Sequence, residues 1–247
     1  MATSRRNRAP TRRAERTSKP PPEPEVYEAD ESLLAEAHAL GQNALRVISK
    51  LQRSGHEAYL VGGCVRDLLI GRAPKDFDVA TSAHPRQVKR LFRTGRIIGR
   101  RFRLVHVRYG DEIIETATFR REPSESGGGT KDLLILEDNE YGTAGEDALR
   151  RDFTVNALFL DPFDGEILDF VGGMADLDDR VLRTIGDPRR RLPEDPVRIL
   201  RAIKFSTRLD FRIADPTWKA MTECASDLEH SAPPRILEEI LRLLRSG

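Results

Sequence analysis

The sequence predicts an α+β protein in which an N-terminal domain with a mixed or antiparallel sheet and flanking helices precedes an all-helical domain. Two observations lead to this prediction. Short apolar runs of strand length alternate with helical patterns before residue 120, and from Gly145 onward the pattern is mostly helical. The chain of 247 residues is long enough to bury a core in one large or two modest domains.

The composition excludes several classes of protein. The 41 Lys and Arg residues are matched by 40 Asp and Glu residues, so the net charge of +1 excludes a uniformly basic coat for nucleic acid. No apolar run approaches the roughly 18 residues of a membrane span, and no signal peptide is evident. The two cysteines are too few for a disulfide framework or a zinc site. We therefore expect a cytoplasmic protein with no membrane segment.

Residues 1–32 are predicted to be a disordered arm. The first 20 residues carry seven Arg and Lys residues and one acid, Glu15, and a stretch rich in Pro and Glu follows. The arm offers almost nothing apolar to bury, so a packed structure is not expected. It is either a solubilising tail or an arm that binds RNA phosphates. The stretch rich in Pro and Glu makes a poor amphipathic helix, which disfavours a transit peptide.

The ordered part is expected to begin near Leu33, with a head domain over residues 33–172 and a helical neck over 173–247. Apolar residues from Leu34 to Leu51 recur at helical spacing and predict one helix, which Gly55 ends. The next predicted elements are a strand at 58–61, a helix at 65–70, a strand at 75–80, a helix at 85–92, a hairpin of strands at 102–109 and 112–120 and a flexible loop at 121–140.

Two aspartates on one predicted strand are the first candidates for chemistry. Asp76 and Asp78 are two residues apart, so they share a strand face while Phe77 and Val79 point into the core. Adjacent carboxylates repel each other unless a cation lies between them. One or two carboxylates, completed by phosphates and water, are the ligands that Mg²⁺ prefers. The pair on its own also fits exposed loop acids.

The turn before these acids fits a phosphate. Gly62 and Gly63 lie between a strand and a helix, so backbone N–H groups can approach a phosphate with no Cβ in the way. Arg66, one turn into the helix, adds a charged donor. The same glycines also fit a tight turn with no ligand. The segment is neither a dinucleotide-binding fingerprint nor a P-loop, because neither motif is present.

A third acid stands alone on its strand face. Glu115 shares that face with Ile113, Ala117 and Phe119, and burying a carboxylate there is costly unless it meets a cation or an arginine. It is therefore either a third metal ligand or a salt-bridged glutamate of the sheet.

Four ordered motifs carry a resemblance to a known family. They are Leu60 to Asp67 (LVGGCVRD), Lys75 to Asp78 (KDFD), Arg150 to Ala157 (RRDFTVNA) and Glu194 to Arg198 (EDPVR). Between roughly Leu40 and Gly247 the chain resembles class II template-independent nucleotidyltransferases of the polymerase-beta-like superfamily, the bacterial poly(A) polymerases and CCA-adding enzymes. The basic segment from Gly99 to Val107 is similar to the poly(A) polymerase branch.

The resemblance implies a polymerase-beta-like head, a helical neck and a role for each matching residue. It assigns the metal ions, two Mg²⁺, to Asp76, Asp78 and Glu115. It implies that Gly62, Gly63 and Arg66 bind the triphosphate and that Arg151, Asp152 and Asn156 contact sugar and phosphates. The same resemblance assigns reading of the incoming base to Asp195 and Arg198.

Local physics is compatible with the base-reading pair. Asp195 before Pro196 is typical of a helix N-cap followed by proline at the first helical position. Arg198 lies three residues after Asp195, so the two side chains are expected to be neighbours that hold each other. Arg201, one turn further on, is expected to be a phosphate or surface residue.

The resemblance implies an RNA adenylyltransferase that uses ATP and Mg²⁺ to add AMP to RNA 3′ ends. A CCA-adding enzyme, which would also use CTP on tRNA, is the nearest alternative, and a non-catalytic RNA-binding relic is the second. Family members look longer, so the C-terminal body and tail are expected to be missing. The apolar side chains of the last predicted helix would then be partly exposed, namely Ile236, Leu237, Ile240, Leu241 and Leu244.

Overall fold

The computed structural model describes residues 23–99, 103–122 and 140–245. The first 22 residues of the predicted arm, most of the predicted loop at 121–140 and residues 100–102 of the basic segment lie outside these ranges.

A single large sheet organises the N-terminal part. Its strands are β1 (Glu25–Glu28), β2 (Ala58–Val61), β3 (Asp78–Thr81), β4 (Arg96–Ile98), β5 (Leu104–Tyr109), β6 (Glu112–Thr118), β7 (Leu158–Asp161) and β8 (Glu166–Asp169). Their order is β1-β8-β7-β2-β3-β6-β5-β4. Only β3 and β6 pair in parallel among these eight described strands, so the sheet is mixed, as predicted.

Helices flank the sheet and dominate the C-terminal part. They are α1 (Glu31–Leu40), α2 (Gln42–Arg53), α3 (Gly63–Leu69), α4 (Pro85–Leu91), α5 (Ala144–Arg150), α6 (Gly173–Asp178), α7 (Pro188–Glu194), α8 (Val197–Leu209), α9 (Asp215–Glu223) and α10 (Pro233–Arg245). This confirms the predicted α+β class with a helical second part. A short parallel pair, β9 (Val181–Leu182) with β10 (Arg212–Ile213), lies among those helices.

The predicted helix from Leu34 to Leu51 is two helices that meet at Gly41. The Gly41 N–H donates to the carbonyl of Ala37 at 2.9 Å and ends α1. A Cβ on Gly41 would lie 2.9 Å from the ring of Phe77, so glycine at the turn leaves the space that this ring occupies. Periodicity alone runs across this break, and the prediction of one helix was wrong.

Part of the predicted arm is a strand. Residues Glu25–Glu28 pair with β8 in an antiparallel ladder, so the disordered prediction for residues 23–32 was wrong. The pairing gives hydrogen-bond partners to the backbone of a segment that has few apolar side chains of its own. Amino-acid composition does not reveal such backbone pairing. Asp30 then caps α1 by accepting from the Leu33 N–H at 2.7 Å.

Two other strand predictions needed correction. The strand predicted at 75–80 begins only at Asp78, so Asp76 lies before it. β7, which follows the third motif, was not predicted as a strand. It pairs with β2 on one side and β8 on the other, and its residues are all buried. A short apolar run buried on both faces has no alternation to distinguish it from a helix. The hairpin at Gly110-Asp111 was confirmed.

The last helix, α10, packs on α8 through its charged face. Glu239 is the buried residue of α10, whereas Leu237 and Leu244 are 57% and 74% exposed. The expectation of exposed apolar surface is therefore confirmed for this helix. Within the described ranges, no helix is long and apolar enough to cross a membrane.

Candidate active site

A cavity of about 590 Å³ lies where the centre of the sheet meets α8 and α10. Ten of the eleven predicted site residues line it, and they are Gly62, Gly63, Arg66, Asp76, Asp78, Arg151, Asp152, Asn156, Asp195 and Arg198. The remaining one, Glu115, is not in its wall. The tertiary fold thus collects residues from four separate motifs around one space.

The two aspartates lie together at the start of β3. Asp76 is exposed and Asp78 is half-buried, while Phe77 between them is buried in the core. The predicted alternation of side chains therefore holds, although only Asp78 belongs to the strand.

Glu115 is held differently from what the sequence suggested. Its strand face is not apolar and buried, because Ile113 is 48% exposed and the Glu115 side chain is 55% exposed. The Glu115 carboxylate therefore keeps its contact with water, and no desolvation cost requires a cation beside it. His106 on β5 lies directly opposite Glu115, with its Nε2 3.5 Å from a carboxylate oxygen.

The three acids nevertheless act on one another. Burial and the charges of Glu115 and Asp76 together raise the pKa of the Asp78 carboxyl to about 6, while Arg151 opposes the shift. Raised pKa values of this kind mark a place where negative charge is concentrated and partly removed from water. The donor set therefore fits a divalent cation.

A metal would draw on a small set of protein ligands here. Among the described residues, no group of three or more His, Cys, Asp or Glu side chains lies close enough to enclose a metal. Two carboxylates in a cavity wall still suit Mg²⁺, which keeps several water ligands and takes the rest from substrate phosphates. Asp76 and Asp78 are the residues that could hold it.

The structure gives a geometric reason for glycine at position 62 of the turn but not at position 63, where an added Cβ would make an ordinary contact. Gly62 has φ of 78°, and a Cβ there would lie 3.2 Å from Nη1 of Arg151. Gly63 begins α3, and a Cβ on it would lie 3.5 Å from Nη2 of Arg66. Any larger residue at position 62 would be strained and would also displace an arginine of the cavity wall.

Arg66 is a buried anchor rather than a free donor. Its side chain is 2% exposed, and it donates to Oδ1 of Asp67 at 2.8 and 2.5 Å and to Oδ1 of Asn156 at 2.5 Å. The predicted contact of Arg66 with a triphosphate would therefore compete with bonds that hold Asn156 in place.

Asp152 and Arg201 join the sheet part to the helical part. Arg201 on α8 donates to one carboxylate oxygen of Asp152 from Nε at 2.8 Å and from Nη2 at 2.5 Å. Burial alone would raise the pKa of the Asp152 carboxyl, but Arg201, Asn156 and the Phe153 N–H together hold it below its usual range. Arg201 is therefore bound by Asp152 and is not a free surface residue, while its expected contact with a phosphate stays a prediction, since it also lines the cavity.

The predicted neighbours Asp195 and Arg198 are held by other partners. Asp195 follows α7 and does not cap α8, whose N-cap is Pro196. Its carboxylate accepts from Arg235 at 2.9 Å, and Arg198 donates to the carbonyl of Arg191 at 2.5 Å. The expectation that Asp195 and Arg198 hold each other was therefore wrong, although both line the cavity.

Sequence reasoning missed the side chains that α10 contributes. Glu239 is buried, accepts from Lys204 at 2.6 Å and lies 3.4 Å from Arg201. These residues of α8 and α10 are about 35 positions apart in the chain. Charged residues at helical spacing on α8 were a visible signal, but nothing in the sequence indicated which acid would meet them.

Comparisons with known proteins agree with this architecture. The family described as "Poly A polymerase head domain" matches residues 58–183, and "Probable RNA and SrmB- binding site of polymerase A" matches residues 210–247. The chain belongs to this family of nucleotidyltransferases, which confirms the resemblance drawn from the four motifs.

Individual relatives fall on both branches of the family. The chain is 50% identical over 214 residues to Poly(A) polymerase I of Salmonella typhi, covering 84% of this chain and 46% of that protein. It is 38% identical over 200 residues to the CCA-adding enzyme of Lactobacillus helveticus, covering 81% and 49%. The chain therefore spans about half the length of the curated relatives it matches.

A solved structure shows the same fold. The Bacillus stearothermophilus CCA-adding enzyme in complex with CTP superposes with a TM-score of 0.73 at 35% identity, covering 82% of this chain and 48% of that chain.

Proposed function

We propose that this chain is the nucleotide-transferring part of an RNA 3′-end adenylyltransferase, which adds AMP from ATP without a template. One observation supports the proposal above all: the same cavity is lined by two groups of residues. Asp76 and Asp78 fit a divalent cation, and Asp195 and Arg198 fit a base. The 50% identity to Poly(A) polymerase I supports the choice of ATP.

The transfer needs positioning more than covalent chemistry from the protein. An RNA 3′-hydroxyl oxygen attacks the α-phosphorus of ATP, the bond to pyrophosphate breaks, and the hydroxyl proton is lost to solvent. Two Mg²⁺ ions held by Asp76 and Asp78, with Glu115 beside Asp78, would supply charge stabilisation for the attacking and leaving oxygens.

The remaining residues orient the nucleotide. The backbone at Gly62 and Gly63 lets a triphosphate approach closely, and Arg151 beside it contributes positive charge. Asn156 and Asp152, fixed by Arg66 and Arg201, form a rigid support for the sugar. Arg198 can donate to a base and Asp195 can accept from one.

RNA is the proposed partner, and the match over residues 210–247 supports it. The basic residues within positions 1–20 would add phosphate contacts. A cytoplasmic location, where ATP and RNA 3′ ends meet, is part of this proposal.

A CCA-adding enzyme is the second candidate, because the CCA-adding relatives and the structure with CTP share the fold. A non-catalytic relic is disfavoured, since a decayed site has no reason to keep three acids.

Incorporation of labelled ATP or CTP tests these alternatives. The protein is incubated with Mg²⁺ and each nucleotide, on tRNA that lacks its 3′ end and on a generic RNA. Incorporation of AMP alone on the generic RNA is expected. Ordered addition of C, C and A confined to tRNA would show a CCA-adding enzyme, and no incorporation on either RNA would favour the relic.

A further inference from the structure

Only one of the two carboxylate oxygens of Asp195 has a hydrogen-bond partner in the described part of the chain. One oxygen, Oδ2, accepts from Nη2 of Arg235 on α10 at 2.9 Å. The other oxygen, Oδ1, is buried and has no hydrogen-bond partner in the described part of the chain. An unpaired buried acceptor is unfavourable in a folded protein, so this oxygen calls for an explanation. Asp195 lines the cavity, so a ligand bound there is a group that can satisfy this oxygen.

Hydrogen-bonding pattern alone cannot make such a site select adenine. Adenine and cytosine both present an amine donor next to a ring-nitrogen acceptor on their Watson–Crick edges. An acid and an arginine can pair with either base, and they reject guanine and uracil, whose patterns are reversed. Choosing ATP over CTP therefore requires that the carboxylate stay at one distance from the sugar and triphosphate.

The helix that carries Arg235 is itself fixed in place. Glu239 lies one turn after Arg235 on the same face of α10. It accepts from Lys204 on α8 at 2.6 Å, and the side chains of both residues are 9% exposed. Arg235 therefore extends from a helix that is held in place to the C-terminal end of α7, where Asp195 follows the last helical residue.

We infer that Arg235 is a positioning residue that fixes Asp195 so that its free oxygen meets the amine of adenine and not that of cytosine. The inference rests on the proposed function, because it concerns the base of the transferred nucleotide. Arg235 holds one carboxylate oxygen and leaves the other to the base. Without this tether, Asp195 could move toward the smaller pyrimidine.

Equilibrium dissociation constants for ATP and CTP with Mg²⁺ test the inference without relying on RNA extension. Arg235→Met removes the guanidinium and keeps the aliphatic stem. The ratio of the CTP constant to the ATP constant should fall about tenfold, which is about 1.4 kcal/mol and matches the loss of one hydrogen bond to a charged group. The matched control is Arg245→Met, an exposed arginine at the end of α10, which should keep the wild-type ratio.

A double-mutant cycle separates positioning from general destabilisation. If Arg235 acts through Asp195, then Arg235→Met should change the ratio little in an Asp195→Asn background. Should Arg235→Met not fold, Arg235→Lys replaces it and is expected to lower the ratio, since a lysine cannot reproduce the planar fork of arginine.

An unchanged ratio in the folded Arg235 variant, or effects that multiply in the double variant, would overturn the inference. These results differ from failure of the proposed function. In that case the wild-type chain itself would bind ATP no better than CTP, and the inference would fall with it.

Discussion

Arg201 on α8 donates two hydrogen bonds, of 2.8 and 2.5 Å, to a single carboxylate oxygen of Asp152. Asp152 uses its other oxygen to accept from Asn156 and from the Phe153 N–H. The pair therefore fastens the helical part of the chain to a residue of the cavity wall. It also means that the third motif is held in shape by a residue of the helix that begins within the fourth motif.

Loss of the Arg201 guanidinium should destabilise the protein. Arg201→Met leaves the buried Asp152 carboxylate without its cation, and we expect the free energy of unfolding to fall by about 1–3 kcal/mol. The value is below that of a fully buried pair because the Arg201 side chain is 32% exposed. Chemical denaturation at pH 7 measures it. Arg189→Met, which breaks an exposed pair with Glu223, is the control and should cost less than about 1 kcal/mol. Equal losses would contradict the assignment.

The same pair should give a pH dependence of stability with a definite sign. The pKa of Asp152 is lower in the folded chain than its usual 3.8, so its contribution is fully present above about pH 4 and is lost as the pH falls further. The difference in unfolding free energy between wild type and Arg201→Met should therefore shrink on acidification from pH 6 to pH 3. A difference that grows in that interval would contradict the prediction.

Asp78→Asn should stabilise the metal-free protein while abolishing transfer. The folded pKa of Asp78, about 6, lies above the ordinary value of 3.8, so the wild type loses stability as the pH rises from about 4 to 6. With EDTA at pH 8 the free energy of unfolding of the variant should exceed that of the wild type by about 1–3 kcal/mol. At pH 4 the two proteins should have similar free energies of unfolding. Asp76→Asn, at an exposed position, should abolish AMP incorporation with little gain in stability. A destabilised Asp78→Asn protein at pH 8 would contradict this prediction.

Gly62→Ala should impair nucleotide binding beyond its effect on folding. Alanine at a φ of 78° is strained, and its Cβ would press on Nη1 of Arg151, 3.2 Å away. Gly55→Ala is the matched control, because Gly55 has a φ of 82° but nothing within 4 Å of its added Cβ. Both variants should lose about 1–2 kcal/mol of stability. Only Gly62→Ala should raise the dissociation constant for ATP, and equal ATP binding by the two would show that the contact with Arg151 is unimportant.

Arg198→Ala should weaken the choice of base. Arg198 is the cavity donor whose guanidinium is oriented by the carbonyl of Arg191, and its side chain is 14% exposed. We expect discrimination of ATP against GTP and UTP to fall by about 1–3 kcal/mol, because a donor that adenine accepts from and that guanine and uracil cannot use is lost. Binding of inorganic triphosphate should persist, since the turn at Gly62 is untouched. Competition between nucleotides measures the effect, and an unchanged preference for ATP would count against Arg198 as a base reader.

The sequence by itself predicted the fold class and, through four motifs that resemble a known family, the family and ten residues that line the cavity. Those features depend on local properties that a chain displays in order: alternation around Phe77, two glycines between a strand and a helix, and motifs at fixed intervals. A glycine with a positive φ, such as Gly62, is favoured by its own backbone conformation, so its position can be recognised without knowledge of distant contacts.

Only the tertiary structure decided which partner each charged side chain meets. Arg198 is three residues from Asp195, yet Asp195 pairs with Arg235, 40 positions away, and Arg201 pairs with Asp152, 49 positions away. Many acids and bases in this chain could pair with one another at similar energy. The partners are selected by the packing of α10 on α8 and by the order of strands in the sheet, which includes β1 and β7. Both features depend on contacts between segments that are distant in the sequence.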